Sequence, residues 1–214
     1  MSRIGIKICG LATVDTVRAA LDHGATHIGL MHFPQSPRHL ELGALHGLAT
    51  QIPPHIGRVA VLVDPDDQLV SALTAPGAVS ALQLHGKESP QRVAEIAART
   101  GLEIWKVISV KRAADVASAS AYTGAAHRIL FDAKTPEGSV LPGGMGVRFD
   151  WGLLAGYRGT LPWALSGGLD ADNVAAAIAQ TGAPLVDVSS GVESAPGVKD
   201  VDKIVAFCKA VNAS

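Results

Sequence analysis

The chain has 214 residues, 48% of them hydrophobic and 17% charged, so it can bury a sizeable core and does not have the composition of a disordered polymer. Its 18 Lys and Arg against 19 Asp and Glu leave a net charge of −1, with no basic excess to neutralise a nucleic-acid backbone, although a patch for one small anion stays open. No apolar run approaches the roughly 20 residues that span a bilayer, so neither a nucleic acid nor a membrane is expected as a partner.

The opening MSRIGIKICG carries neither a basic region ahead of a long apolar stretch nor a small-residue cleavage site, and a soluble cytoplasmic protein is the expectation. Two cysteines, Cys9 and Cys208, stand near opposite ends. One bridge between them is conceivable, but two cysteines are no disulfide framework.

Along the chain, short apolar runs alternate with longer amphipathic stretches. A strand over Ile4–Cys9 leads to a helix over Thr13–His23, with Thr13 as cap, Asp15 in the first turn and Val14, Val17, Ala20 and Leu21 on one face. A strand over His27–Met31 and a weaker helix over Glu41–Gln51 follow. Then come a strand over Arg58–Val63, a helix over Asp66–Leu73 and a strand over Val79–Leu84. Ser89–Arg99 opens with Ser then Pro, a sound cap and first turn, and turns Val93, Ile96 and Ala97 inward.

The second half repeats the scheme. Strands are predicted over Glu103–Ile108, Arg128–Asp132, Pro162–Ser166 and Leu185–Val188. Between and after them, helical patterns cover Ala113–Ser120, Asp150–Leu154, Asp170–Gln180 and Lys199–Val211. Most strands are almost continuously apolar, as parallel strands covered on both faces should be. Eight strand–helix units at roughly 27 residues each fit an α/β, single-domain (βα)8 TIM barrel of parallel strands over residues 1–214. A doubly wound open sheet is the alternative. The long Gly- and Pro-rich connection from Ala133 to Val147 reads as a lid or binding loop, or else as a tolerated surface insertion.

In such a barrel the chemistry sits at the C-terminal ends of the strands. Two of those ends carry small, Gly-rich turns, Ser166-Gly167-Gly168 and Ser189-Ser190-Gly191. Their backbone N–H groups can approach an anion, and strands seven and eight are where phosphate-binding barrels place that pocket. Cys9 closes strand one before Gly10. Its sulfur either faces the mouth, where a thiolate is a capable base if positive charge lowers its pKa, or packs as a small apolar group. Lys7 shares that face but is expected to sit too deep to help.

Asp132 ends strand six. At the mouth of a dry cavity its carboxyl is disfavoured as an anion and can donate a proton; otherwise it caps a loop or pairs with Lys134 or Arg148. Arg38, in Ser36-Pro37-Arg38, can fork onto a carboxylate or make a surface salt bridge. Lys106 lies within a buried strand and needs a partner. His85 suits a structural role on a loop backbone as well as a catalytic one. No metal-ligand spacing and no nucleotide-binding signature occurs, so acid–base chemistry without metal or cofactor is expected.

These residues resemble the phosphoribosylanthranilate isomerase family of tryptophan biosynthesis. The resemblance runs through Lys7-Ile8-Cys9-Gly10-Leu11, the Gly29–Arg38 stretch, Gln83-Leu84-His85-Gly86 and Phe131-Asp132. It continues through Pro142-Gly143-Gly144-Met145-Gly146, Phe149-Asp150-Trp151, Ser166-Gly167-Gly168-Leu169, Val186–Glu193 and Gly197–Asp200.

It implies an Amadori rearrangement of a phosphosugar substrate: Cys9 as general base, Asp132 as general acid, Arg38 on the anthranilate carboxylate and the two turns as phosphate grip, with His85 as a further substrate contact. Met31-His32 and Met145 depart from the residues usual in that family. The alternatives are the related phosphoribosyl isomerase of histidine biosynthesis, for which an Asp at the position of Cys9 is expected, and a phosphosugar-binding barrel without catalysis. The sequence leaves the oligomeric state undetermined.

Overall fold

A computed structural model describes residues 3–135, 143–155 and 157–214. Eight parallel strands close on themselves in chain order: β1 (Gly5–Cys9), β2 (His27–Met31), β3 (Gly57–Leu62), β4 (Ala81–Leu84), β5 (Glu103–Val110), β6 (Arg128–Ala133), β7 (Trp163–Leu165) and β8 (Leu185–Val188). Closure comes from β1 pairing with both β2 and β8, in registers that set Cys9 beside Gly29 and Lys7 beside Asp187. The expected (βα)8 barrel is the observed fold.

Seven helices accompany the strands among the described residues: α1 (Val14–Asp22), α2 (Leu42–Ala49), α3 (Asp67–Thr74), α4 (Pro90–Thr100), α5 (Ala113–Ala117), α6 (Val174–Thr181) and α7 (Val201–Asn212). Their starts follow capping chemistry. The side chains of Thr13, Asp66, Ser89 and Asp200 each accept the N–H three residues on, satisfying a donor that the first turn leaves free.

Capping also explains where the sequence reading overran. Asp170 accepts from the N–H groups of Asp172 and Asn173, holding a turn there, so α6 begins at Val174 and not at Asp170. Lys199 belongs to a small antiparallel hairpin, β9 (Glu193–Ala195) with β10 (Val198–Lys199), which delays α7 to Val201. The helix predicted to Ser120 ends at Ala117 and tightens into a 3₁₀ turn over Ser118–Tyr122, and Asp150–Leu154 is likewise a 3₁₀ turn, Trp151–Leu154.

Strand alternation divides the core in two. Between sheet and helices lies a continuous layer that includes Ile6, Ile8, Leu62, Leu82, Phe131, Val186 and Phe207. Inside the barrel lies a separate cluster of Val59, Ala81, Trp105, Val107, Leu130, Ala164 and Leu185. Each fully buried large apolar side chain contributes about 1.5–3 kcal/mol, so both layers hold the strands in place. Trp105 forms a floor, with Lys7 Nζ 6.0 Å from its ring centre. Cys9 and Cys208 are both free and buried, with no bridge between them. No helix among the described residues is long and apolar enough to cross a membrane.

Candidate active site

One cavity opens at the C-terminal ends of the strands. Cys9, Arg38, His85, Asp132, Asp187 and Ser189 all line it, joined by the turn Ser166–Leu169 and by residues 143–147 of the connection after β6. That connection was read as a lid or binding loop, or else as a surface insertion, and its described end lies at the cavity; residues 136–142, Pro142 included, lie outside the described residues.

Cys9 enters from β1 and is 5% exposed. Burial pushes its thiol pKa up, while Lys7 and Lys199 pull the other way. The thiol is thus raised, not lowered as a base at strand one would need on sequence grounds alone. Lys7 corrects a second expectation. Its four-carbon stem carries the ammonium up the barrel axis, where a Cβ built on Gly29 would lie 2.8 Å from Cys9 Sγ and 3.0 Å from Lys7 Nζ. The two atoms share the space that a side chain on β2 would otherwise fill.

Lys7 also donates to Asp187 at 2.8 Å, with both side chains enclosed. Burial works against the ammonium, but Asp187 and Cys9 outweigh it, and Lys7 titrates above the ordinary lysine value. Burial raises the Asp187 carboxyl, with Lys7 opposing.

Asp132 enters from β6, across the mouth from β1, and pairs with neither Lys134 nor Arg148; Arg148 instead binds Asp170 at 2.8 Å. Asp132 Oδ1 accepts from the Ala133 N–H at 2.9 Å, and Oδ2 lies 3.4 Å from His85 Nε2, outside hydrogen-bond geometry. His85 therefore faces the acid and not a loop backbone. Gly143 packs over both: a Cβ there would sit 2.5 Å from Asp132 Oδ2 and 2.6 Å from His85 Cε1.

Arg38 is no surface residue. Its Nε and Nη2 fork onto Glu193 at 2.7 and 2.8 Å, and Nη2 also donates to the Gly144 carbonyl at 3.0 Å. Nη1 donates to no acceptor among the described residues. Glu193 is shared with Lys199, which also donates to the Ser189 carbonyl at 2.8 Å. Burial would raise the Glu193 carboxyl, but the two cations outweigh it and hold it below the ordinary glutamate value.

The predicted anion turns meet at the same rim. Gly167 and Gly168 take φ of 94° and 63°, which side-chain-bearing residues rarely adopt. The N–H groups of Gly167, Gly168, Ser190 and Gly191 engage no acceptor among the described residues. Ser190 lines the cavity, whereas Gly191 stands behind it, its bare Cα letting the turn lie against the Leu169 carbonyl.

Lys106 finds its partner away from the cavity, in Glu88 at 2.7 Å. His32 bonds the Leu40 carbonyl and packs on His39, off the cavity wall, while Met31 and Met145 line it.

A thiol and a carboxyl thus face one cavity with a free-amide rim beside them, and the chain that builds it matches a family model. The model described as N-(5'phosphoribosyl)anthranilate (PRA) isomerase covers residues 6–210. The chain belongs to the N-(5'-phosphoribosyl)anthranilate isomerase family. A relative of that name from Caulobacter vibrioides is 52% identical over 215 residues, covering 99% of this chain and 97% of the relative.

The family's phosphoribosyl anthranilate isomerase structure from Thermotoga maritima superposes with a TM-score of 0.88 at 32% identity, over 99% of this chain and 100% of that one. A second structure of the family, at TM-score 0.85 and 30% identity over 99% and 100% of the chains, is a complex with reduced 1-(o-carboxyphenylamino)-1-deoxyribulose 5-phosphate.

The sequence reading missed two ion-pair groupings: Lys7 with Asp187, and Arg38 with Glu193 and Lys199. A signal existed for Lys7, because a lysine inside an apolar strand requires a counter-charge on the same face. None existed for Glu193 and Lys199, since only the hairpin after β8 brings them under Arg38.

Proposed function

We propose that this chain converts N-(5'-phosphoribosyl)anthranilate to 1-(2-carboxyphenylamino)-1-deoxyribulose 5-phosphate by an Amadori rearrangement in tryptophan biosynthesis, acting as one catalytic domain in the cytoplasm. The observation that carries this reading is that Cys9 and Asp132, from strands that are not neighbours in the barrel, face a single cavity. Family membership and the bound product analogue of the related structure support the substrate class.

In this reading Asp132 donates a proton to the furanose ring oxygen. The C1–O bond breaks as the nitrogen lone pair forms a C1=N iminium, and the chain of the sugar opens. The Cys9 thiolate then removes the C2 proton. The electron pair of that C–H bond becomes a C1=C2 double bond, and the iminium electrons return to nitrogen. Loss of the C2 hydroxyl proton and protonation at C1 give the ketone, so C2 is oxidised, C1 reduced, and no outside oxidant enters.

Each proton transfer to or from a placed side chain supplies about two to four powers of ten. Arg38 Nη1, free of the Glu193 fork, meets the anthranilate carboxylate. The amides of Gly167, Gly168 and Ser190 hold the phosphate, with Gly191 letting the turn pack behind them and Ser189 bracing it through its bond to the Cys9 carbonyl at 3.2 Å. His85 lies against both the acid and the substrate.

The test is to mix purified protein with freshly made phosphoribosylanthranilate and follow anthranilate-type fluorescence. The expected result is a saturable loss that scales with protein concentration; a flat trace overturns the reading.

A further inference from the structure

To act as the base in the proposed reaction, Cys9 must ionise in a site whose burial disfavours the thiolate. We propose that Lys7, anchored by Asp187, is the counter-ion that favours the Cys9 thiolate for proton abstraction, a positioning residue on which the proposed reaction depends.

The geometry is specific. Lys7 has no exposed surface, sits on the inner face of β1 two residues below Cys9, and lies in register with Asp187 on β8. The absent side chain of Gly29 on β2 leaves room for the ammonium and the sulfur together, each within about 3 Å of where a Cβ would stand. An ammonium beside a thiol favours the ionised sulfur, the more so where water is excluded.

Asp187 fixes the stem at 2.8 Å and keeps the ammonium from leaving the barrel axis. It also opposes Lys7 electrostatically, because its own negative charge disfavours a second anion nearby. The other titratable groups facing this cluster include Lys199 from β10, which favours the thiolate, and Asp132 and His85, which face Asp187 from the far side of the mouth. Another is His27 on β2, in register with Lys7, whose ammonium disfavours a second cation there. Lys7 and Asp187 therefore have opposite signs of effect on one sulfur. A pair that merely stapled β1 to β8 would have no such signature.

The test reads the sulfur directly. In a Cys208→Ala background, thiolate ultraviolet absorbance is titrated against pH and the trace of the Cys9→Ala variant is subtracted. Removing Cys208 costs no signal of interest, since burial pushes that thiol up to about 11. Lys7→Gln should raise the Cys9 midpoint by about one pH unit or more, Lys7→Arg should keep it near its original place, and Asp187→Asn should lower it.

If Lys7→Gln does not fold, the direction of the Asp187→Asn shift decides alone. Midpoints that stay fixed, or that move the same way in both variants, overturn the proposal. Its failure is separable from failure of the isomerase reading: an inactive Cys9→Ala with an unmoved Lys7→Gln midpoint removes only Lys7. An active Cys9→Ala removes the base assignment itself.

Discussion

Arg38 and Glu193, 155 positions apart, meet in a two-point ion pair of 2.7 and 2.8 Å inside the barrel mouth, and Lys199 shares the same carboxylate at 2.8 Å. One glutamate thus orients the guanidinium proposed to grip substrate and ties it to the turn after β8. Replacing it by Gln leaves two enclosed cations around a neutral amide. Breaking a buried pair in this way costs about 3–5 kcal/mol. Glu193→Gln should lose stability of that order in urea melts and raise KM about tenfold or more, with kcat changed far less. An unaltered KM would show that Arg38 does not need its fork.

The state of Cys9 sets the pH dependence. Burial raises the thiol above its ordinary value against the pull of Lys7 and Lys199, so the base forms as pH rises through that higher value. The kcat/KM profile, which reports the free protein, should therefore climb with pH to beyond about 8.5. The kcat profile, which reports the complex, should have its limb at lower pH, because an iminium nitrogen beside the sulfur favours the thiolate. Coincident limbs would contradict this.

At the barrel floor, His27 lies edge-on to Trp105 at 5.2 Å. Burial, with Arg128 and Lys7 nearby, lowers its imidazole to about 4. The folded-state value is depressed below that of the unfolded chain, so the unfolded chain alone takes up a proton between about pH 6.5 and 4. Stability is complete above that window and declines as pH falls through it, by about 3 kcal/mol in all. His27→Gln should flatten the acid slope of Tm in that window. An identical slope in both proteins would assign the loss to other groups.

The barrel was legible because its strands are apolar on both faces and its helices carry caps: Ser89-Pro90 marked α4 within one residue, and β2 and β8 fall on their predicted bounds. The rule that chemistry gathers at strand ends then placed Cys9, His85, Asp132 and the two glycine turns on one rim. Partners supplied by distant segments were not legible. Arg38 alone reads as a surface cation, and its burial depends on a hairpin that no local pattern announced.

Lys7 was discounted for its depth along the strand, yet a lysine stem spans that distance. Asp170 looked like a helix start because Asp is a common cap, but its carboxylate closes a preceding turn instead.

The most direct measurement compares steady-state turnover of phosphoribosylanthranilate in Cys9→Ser and Asp132→Asn, each checked for an unchanged barrel by circular dichroism and for binding of a reduced product analogue. Both variants should bind the analogue while kcat falls by about two to four powers of ten in each. Wild-type kcat in either variant, with the analogue still bound, would contradict the two-group proton transfer across the mouth.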